Sequence, residues 1–194
     1  MRLILASTSP TRGNMLRAAG VDFVVRPSGI DERVASRHLT AAAEIAQHLA
    51  AAKALAVARL EPQALVIGAD QTLDCAGEVF AKPADRAAAA AQLARLAGRT
   101  HRLHSAVAVA QGERVVWHHL ASPALDMRPL APAEIERYLD RAGPAALGSV
   151  GAYQVEGPGI QLFGRIDGDW PAILGLPLIP LLAYLREAGH MTWC

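Results

Sequence analysis

The sequence predicts an α/β or α+β domain built on a mixed sheet, and three observations carry that prediction. Short apolar runs, Leu3-Ile4-Leu5 and Leu65-Val66-Ile67 among them, read as buried strands. Alanine-rich stretches at 40–60 and 85–96 carry apolar residues at helical spacing. The two kinds of segment are mixed along the chain with turn residues between them, which places strands and helices in one layered unit.

Taken in order, residues 2–6 form a strand and Ser7-Thr8-Ser9-Pro10 leads into a helix bearing Met15, Leu16 and Ala19. The Ser9 hydroxyl suits an N-cap, and Pro10 fits the first helical position, where no amide donor is needed. Gly20 ends this helix. A second strand is expected over 21–25, then a polar loop over 28–38. In the helix at 40–60, Ile45, Leu49, Ala52, Ala56 and Leu60 fall near one face. The strand at 65–67 ends on Gly68-Ala69-Asp70, which puts a carboxylate at its carboxyl end. Ala76-Gly77 marks a hairpin within 73–80, and Gly98 lies beyond the helix at 85–96. Paired strands at 101–110 and 114–120 flank Gln111-Gly112. A short helix at 132–141 stops at Gly143-Pro144, a strand follows at 160–166, and a last helix at 177–187. No internal repeat is present.

Composition bounds the function. The 194 residues are 52% hydrophobic and 5% aromatic, with 19 basic against 18 acidic groups. A chain of this length buries roughly 70% of its unfolded surface, so a single domain over 1–194 is expected to hold a core without staples. A formal charge of +1 lacks the footprint of a nucleic-acid-binding protein, although a local basic patch for a small anion remains open. Cys75 and Cys194 cannot build a disulfide framework, and the opening residues do not resemble a secretory leader, so the chain is expected to be cytoplasmic. The apolar window at 174–185 is broken by Gly175, Pro177 and Pro180, and no membrane segment is expected.

Several polar residues are candidates for chemistry. Ser7 to Arg12 lies where a strand turns into a helix, a place that attracts phosphate, and Arg12 could clamp it; a plain capped helix is the alternative. Asp70 either faces the crevice at the strand ends or caps a turn. Lys53 lies beside the apolar face of its helix, so its ammonium needs a partner or ligand unless it snorkels to water. Lys82, before Pro83, offers a further phosphate contact or a solvated charge. Asp31-Glu32 and Asp167-Gly168-Asp169 suit oxygen coordination of a divalent ion or ordinary surface turns. His101 and His104, three apart in a strand, point to opposite faces and do not share a metal. The remaining histidines show no zinc spacing.

Together the segments Leu3-Ile4-Leu5-Ala6-Ser7-Thr8-Ser9-Pro10 with Arg12, Asp31-Glu32, Lys53-Ala54, Gly68-Ala69-Asp70, Lys82-Pro83, Leu96-Ala97-Gly98-Arg99-Thr100-His101, Gly151-Ala152-Tyr153 and Gly175-Leu176-Pro177 closely resemble the Maf family of nucleotide pyrophosphatases. The likeness runs from residue 2 to about 185. It implies an elongated mixed twisted sheet flanked by helices, with two lobes around a central cleft, as in inosine triphosphatase-like folds. It also implies hydrolysis of a nucleoside triphosphate to its monophosphate and pyrophosphate, a divalent cation (Mg2+ or Mn2+), and a homodimer. Carried over by position, Ser7, Arg12, Lys53 and Lys82 hold phosphates, Glu32 and Asp70 hold metal, and Asp70 accepts the proton.

Three positions bear on the substrate. The family branch that prefers dTTP and UTP has an arginine, a threonine and a glutamine where this chain has Thr11, Gln71 and Glu156. Gln71 and Glu156 resemble the branch acting on 7-methyl-GTP. The chemistry agrees with that branch: N7-methylation makes guanine cationic, and its N1–H and exocyclic amine are donors that a buried Glu156 carboxylate would accept. The resemblance thus points to removal of 7-methyl-GTP from the nucleotide pool. A dTTP/UTP pyrophosphatase, and a non-catalytic nucleotide-binding regulator of cell division, are the alternatives.

Overall fold

The computed structural model describes residues 2–191, so Cys194 lies outside the described residues. Its elements are β1 (Leu3–Leu5), α1 (Pro10–Ala18), β2 (Val24–Val25), α2 (Glu32–Ser36), α3 (Ala42–Ala58), β3 (Leu65–Cys75), β4 (Glu78–Phe80), α4 (Arg86–Leu96), β5 (Thr100–Gln111), β6 (Arg114–Ala121), β7 (Ala124–Met127), α5 (Pro132–Ala142), β8 (Phe163–Asp167), α6 (Trp170–Ile173) and α7 (Leu178–Glu187). Turns of 3-10 helix at Gly143–Gly148, Val150–Ala152 and Pro158–Leu162 join α5 to β8. The strands form one mixed sheet in the order β2-β1-β3-β5-β7-β8, with β4 on β3 and β6 on β5. β1 pairs in parallel with β2 and β3, whereas the β3–β4, β5–β6, β5–β7 and β7–β8 pairs are antiparallel. This is the mixed α/β class the sequence predicts.

The chain divides into two compact units, with the divisions falling inside β3 after Gln71 and inside β5 before Ser105. Among the described residues, the first unit holds 2–71, 105–121 and 169–191. Period-two alternation sends neighbouring strand residues to opposite faces. On one face Leu5, Ile67 and Val107 pack with Leu16 of α1 and Leu181 and Leu185 of α7. On the other, Ile4, Val66 and Ala106 pack with Ala46, Ala50, Ala54 and Val57 of α3. The second unit, residues 72–104 and 122–168, holds the Ala76-Gly77 hairpin turn, where both residues have positive φ, and packs α4 against α5 and the turn at Val150–Ala152.

The structure corrects several expectations. The polar stretch at 28–38 contains α2, because the Asp31 side chain accepts from the Arg33 and Val34 amides and caps it. Only Val24–Val25 of the expected strand at 21–25 pairs with β1. The buried face of α3 carries Ala46, Leu49, Ala50, Lys53, Ala54 and Val57, while Leu60 lies beyond the helix and is exposed. Alanine offers too little contrast to mark the inner face. β3 continues past Asp70 to Cys75, since its distal half pairs with β4. It is β1 that ends, its register stopping at Leu5↔Ile67. The expected strand at 160–166 begins only at Phe163, after a 3-10 turn. β7 and α6 complete the chain without having been foreseen.

Candidate active site

Gly68 positions the site. A Cβ there would overlap the Ala50 carbonyl and the Ala54 amide, so the missing side chain lets α3 lie directly on β3. Asp70, two residues on, points to the same face as Gly68. Lys53 lies on the buried face of α3 between Ala50 and Ala54. The Lys53 Nζ donates to Asp70 Oδ1 at 2.6 Å and pairs with Glu32 Oε1 of α2 at 2.7 Å. The Lys53 and Asp70 side chains are 8% and 9% exposed and that of Glu32 is 55%, so the cluster has a dry side and a wet side. Burial pushes the Asp70 carboxyl above its ordinary range, against the attraction of Lys53 and Arg12.

Arg12 enters from α1, whose first turn is capped by the Ser9 hydroxyl accepting from the Arg12 amide at 3.4 Å. Its Nε donates to the Gly175 carbonyl at 2.8 Å and its Nη1 to the Ala69 carbonyl at 3.0 Å. Nη1 also reaches Ser7 Oγ at 3.5 Å, and the Ser9 amide donates to the same oxygen at 3.2 Å. With Ser7 Oγ accepting both bonds, its proton is left to donate elsewhere. Nη2 takes no part in these bonds. Burial lowers the Arg12 pKa, while Asp70 and Glu32 raise it.

Ser7, Arg12, Glu32, Lys53 and Asp70 thus belong to one connected set in the first unit, with Thr11 half-buried beside Arg12. Gln71, on the opposite face from Asp70, donates from Nε2 to Ser105 Oγ at 2.8 Å, to the Ile173 carbonyl at 3.0 Å and to the Ala172 carbonyl at 3.2 Å. Ser105, Ala172 and Gly175 were not singled out by sequence reasoning; Gly175-Leu176-Pro177 was only part of the resemblance. Lys82 lies in the second unit, exposed in the loop after β4. Glu156, also there, is exposed in a turn. This corrects the expectation of a buried carboxylate, because the residue stands at the outer edge of a tight connection between two 3-10 segments.

Among the described residues no group of three or more His, Cys, Asp or Glu side chains is placed to hold a metal ion. Glu32 and Asp70 nonetheless turn two carboxylate oxygens onto one cation, the Lys53 ammonium. Two hard oxygen donors fit Mg2+ or Mn2+, which complete their shells with water and substrate phosphate. Asp167 pairs with Arg165, and Asp169 caps α6 by accepting from the Ala172 amide, so both serve local structure here. His101 pairs with the Tyr153 hydroxyl and His104 with Ser122, on separate partners. No helix among the described residues is long and apolar enough to cross a membrane.

A protein from Brucella abortus biovar 1 (strain 9-941) named 7-methyl-GTP pyrophosphatase is 48% identical over 191 residues, covering 96% of each chain. One from Nitrobacter winogradskyi (strain ATCC 25391 / DSM 10237 / CIP 104748 / NCIMB 11846 / Nb-255), named nucleoside triphosphate pyrophosphatase, is 53% identical over 187 residues, covering 95% of this chain and 93% of its own. Another of that name, from Granulibacter bethesdensis (strain ATCC BAA-1260 / CGDNIH1), is 45% identical over 196 residues, 99% of this chain and all of its own. The family model described as Maf-like protein matches residues 2–188, and the chain belongs to the Maf family.

Proposed function

We infer that this Maf-family chain is a nucleoside triphosphate pyrophosphatase, a hydrolase of acid anhydrides, and we propose 7-methyl-GTP as its substrate. The observation that carries the reading is the convergence of Lys53 on Glu32 and Asp70, with Arg12 and Ser7 joined through the Ala69 carbonyl next in sequence to Asp70. Relatives of about half identity named for 7-methyl-GTP, together with the resemblance of Gln71 to that branch, support the substrate.

In this reading Asp70 orients a water molecule and takes its proton as the water oxygen bonds to the α-phosphorus. The bond from that phosphorus to the bridging oxygen breaks, and pyrophosphate leaves with the electron pair. Burial suits Asp70 to the task, since a raised pKa makes it a better base than an exposed aspartate. Lys53 and Arg12 offset charge growing on the phosphoryl oxygens, and Ser7 donates its remaining proton to one of them. A divalent cation, held by Glu32 and Asp70, supplies further neutralisation when bound. Loss of one well-placed contact of this kind costs about 3 kcal/mol, or about a hundredfold in rate.

The test is pyrophosphate release from 7-methyl-GTP beside GTP, dTTP, UTP and CTP. Preference for 7-methyl-GTP is the expected outcome, and equal or better hydrolysis of dTTP would discard the substrate. Asp70→Asn is expected to fold, bind nucleotide and lose turnover; unchanged turnover removes Asp70 from its role. A cytoplasmic homodimer is the expected working form, checked by sedimentation and by fractionation of the source cells.

A further inference from the structure

Lys53 is held in a way that binding a phosphate does not require. It rises from the buried face of α3 between Ala50 and Ala54, and its Nζ lies 2.6 Å from Asp70 Oδ1 and 2.7 Å from Glu32 Oε1. A phosphate calls for a cation, but not for one clasped between two carboxylates. Those carboxylates are also the hard oxygen donors that fit Mg2+ or Mn2+. Lys53 and a divalent cation therefore draw on the same pair of acids.

Charge decides which of them holds the pair. Glu32 and Asp70 bring two negative charges, Lys53 brings one positive charge, and Arg12 brings a second. Asp70 and Glu32 both act to raise the Arg12 pKa, so its guanidinium feels the two acids. Asp31, the neighbouring acid, accepts instead from the Arg33 and Val34 amides. The four charges of the cluster thus cancel. A dication joining them alone is drawn by two acids and repelled by two cations, beside buried groups where repulsion is poorly screened. Lys53 cannot yield by swinging into water, because its side chain is 8% exposed. A triphosphate alters the sum, since its negative oxygens give both cations new partners and leave the acids to the metal.

We propose that Lys53 is the internal counter-ion of the Glu32–Asp70 pair: it keeps these acids from taking up a divalent cation by themselves, so that the cation enters together with a triphosphate. This builds on the reading of the site as a nucleoside triphosphate pyrophosphatase. It differs from phosphate binding in the sign of its effect. Removing a residue that only bound phosphate would leave the affinity for metal alone unchanged, whereas removing the counter-ion strengthens it.

The experiment titrates wild type, Lys53→Met, Glu32→Gln and the double variant with Mn2+ alone in a calorimeter. A pH of about 8 keeps the acids ionised, as metal ligation needs. Lys53→Met is expected to bind Mn2+ at least about tenfold more tightly than wild type. The double variant is expected to lose most of that gain, because the gain runs through Glu32. Equal or weaker binding by Lys53→Met would overturn the proposal, as would a gain that survives Glu32→Gln. Thermal melting of the wild type then tests joint entry. Mn2+ with inorganic triphosphate is expected to raise the melting temperature by more than the sum of their separate shifts, and shifts that merely add contradict joint entry. Should the methionine variant fail to fold, Lys53→Gln, neutral and polar, is read in the same titration. None of these arms contains a nucleotide or measures turnover, so a wild type that releases pyrophosphate from no nucleotide would refute the enzymatic reading separately.

Discussion

Gly68 and Ala50 lie in backbone-to-backbone contact, the strand glycine against the helix carbonyl, and this closeness brings Lys53 to Asp70. A methyl group at 68 has no flexible neighbour to displace, because its nearest atoms belong to the α3 main chain and the Ala54 methyl. Gly68→Ala is therefore expected to lower stability by about 3 kcal/mol. In whatever fraction folds, the Lys53–Asp70 pair should lengthen and turnover fall. Denaturant midpoints and pyrophosphate release check both; a variant as stable and active as the parent contradicts the packing described.

The pH dependence of turnover offers a test with two signs. Burial raises the Asp70 pKa, Lys53 lowers it by charge and hydrogen bond, Arg12 lowers it less, and Glu32 raises it. Activity that needs ionised Asp70 is present above the folded pKa and lost as pH falls through it. Lys53→Met removes a lowering influence, so the acid limb of kcat/KM should move to higher pH. Glu32→Gln removes a raising one, so the limb should move to lower pH. The stability sign is the reverse of the usual aspartate: the folded state favours the protonated carboxyl, so ionising Asp70 costs stability as pH rises from its unfolded value through its folded one. Limbs moving together in the two variants would assign the titration to another group.

Arginine at position 12 is not replaceable by its charge. Its Nε and Nη1 reach the Gly175 and Ala69 carbonyls in fixed directions, which one ammonium cannot copy. Arg12→Lys is expected to reduce kcat/KM about a hundredfold, and to lower the melting temperature by leaving part-buried carbonyls unsatisfied. Kinetics and calorimetry of this variant decide the matter; retention of wild-type kcat/KM would leave charge alone as the requirement.

In the second unit, His101 is 1% exposed, bonded through Nε2 to the Tyr153 hydroxyl, with Nδ1 lacking a partner. Burial lowers its pKa to about 4, despite Asp126 and Asp74, which raise it. A depressed histidine stabilises the fold fully above its unfolded value of 6.5 and loses that contribution as pH falls toward about 4. At roughly 1.4 kcal/mol per pH unit the loss amounts to about 3 kcal/mol. Urea titrations of wild type and His101→Phe should therefore give stability differences that shrink from pH 7 to pH 4.5. A constant difference would mean that His101 does not titrate in this range.

Much of the fold was legible where local chemistry decides it. Ser9 and Pro10 mark the start of α1, Ala76-Gly77 marks a hairpin turn, and Gly98 follows the end of α4. Lys53 on an apolar helix called for a partner, and the structure supplies Asp70 and Glu32. The limits of β3 were not legible, because polar residues at 70, 71 and 74 resemble a loop until pairing with β4 is known. Nor was the inner face of α3, where alanine surrounds the helix and Gly68 decides the contact. Ser105 gave no local signal at all. Its hydroxyl donates to the Ala172 carbonyl 67 residues away, a relation set by packing alone.

The anchoring of Arg12 to main-chain oxygens also bears on heredity. Every amino acid carries a carbonyl, so side-chain replacements at 69 leave the guanidinium's address intact, and the tolerance of that position is limited only by its own burial. What would unseat Arg12 is an altered chain path: a residue inserted or deleted between 170 and 176, or a larger side chain at Gly175, whose φ of +97 disfavours one. Descent within this lineage should accordingly permit spelling changes around the arginine far more readily than changes of length in the segment that faces it.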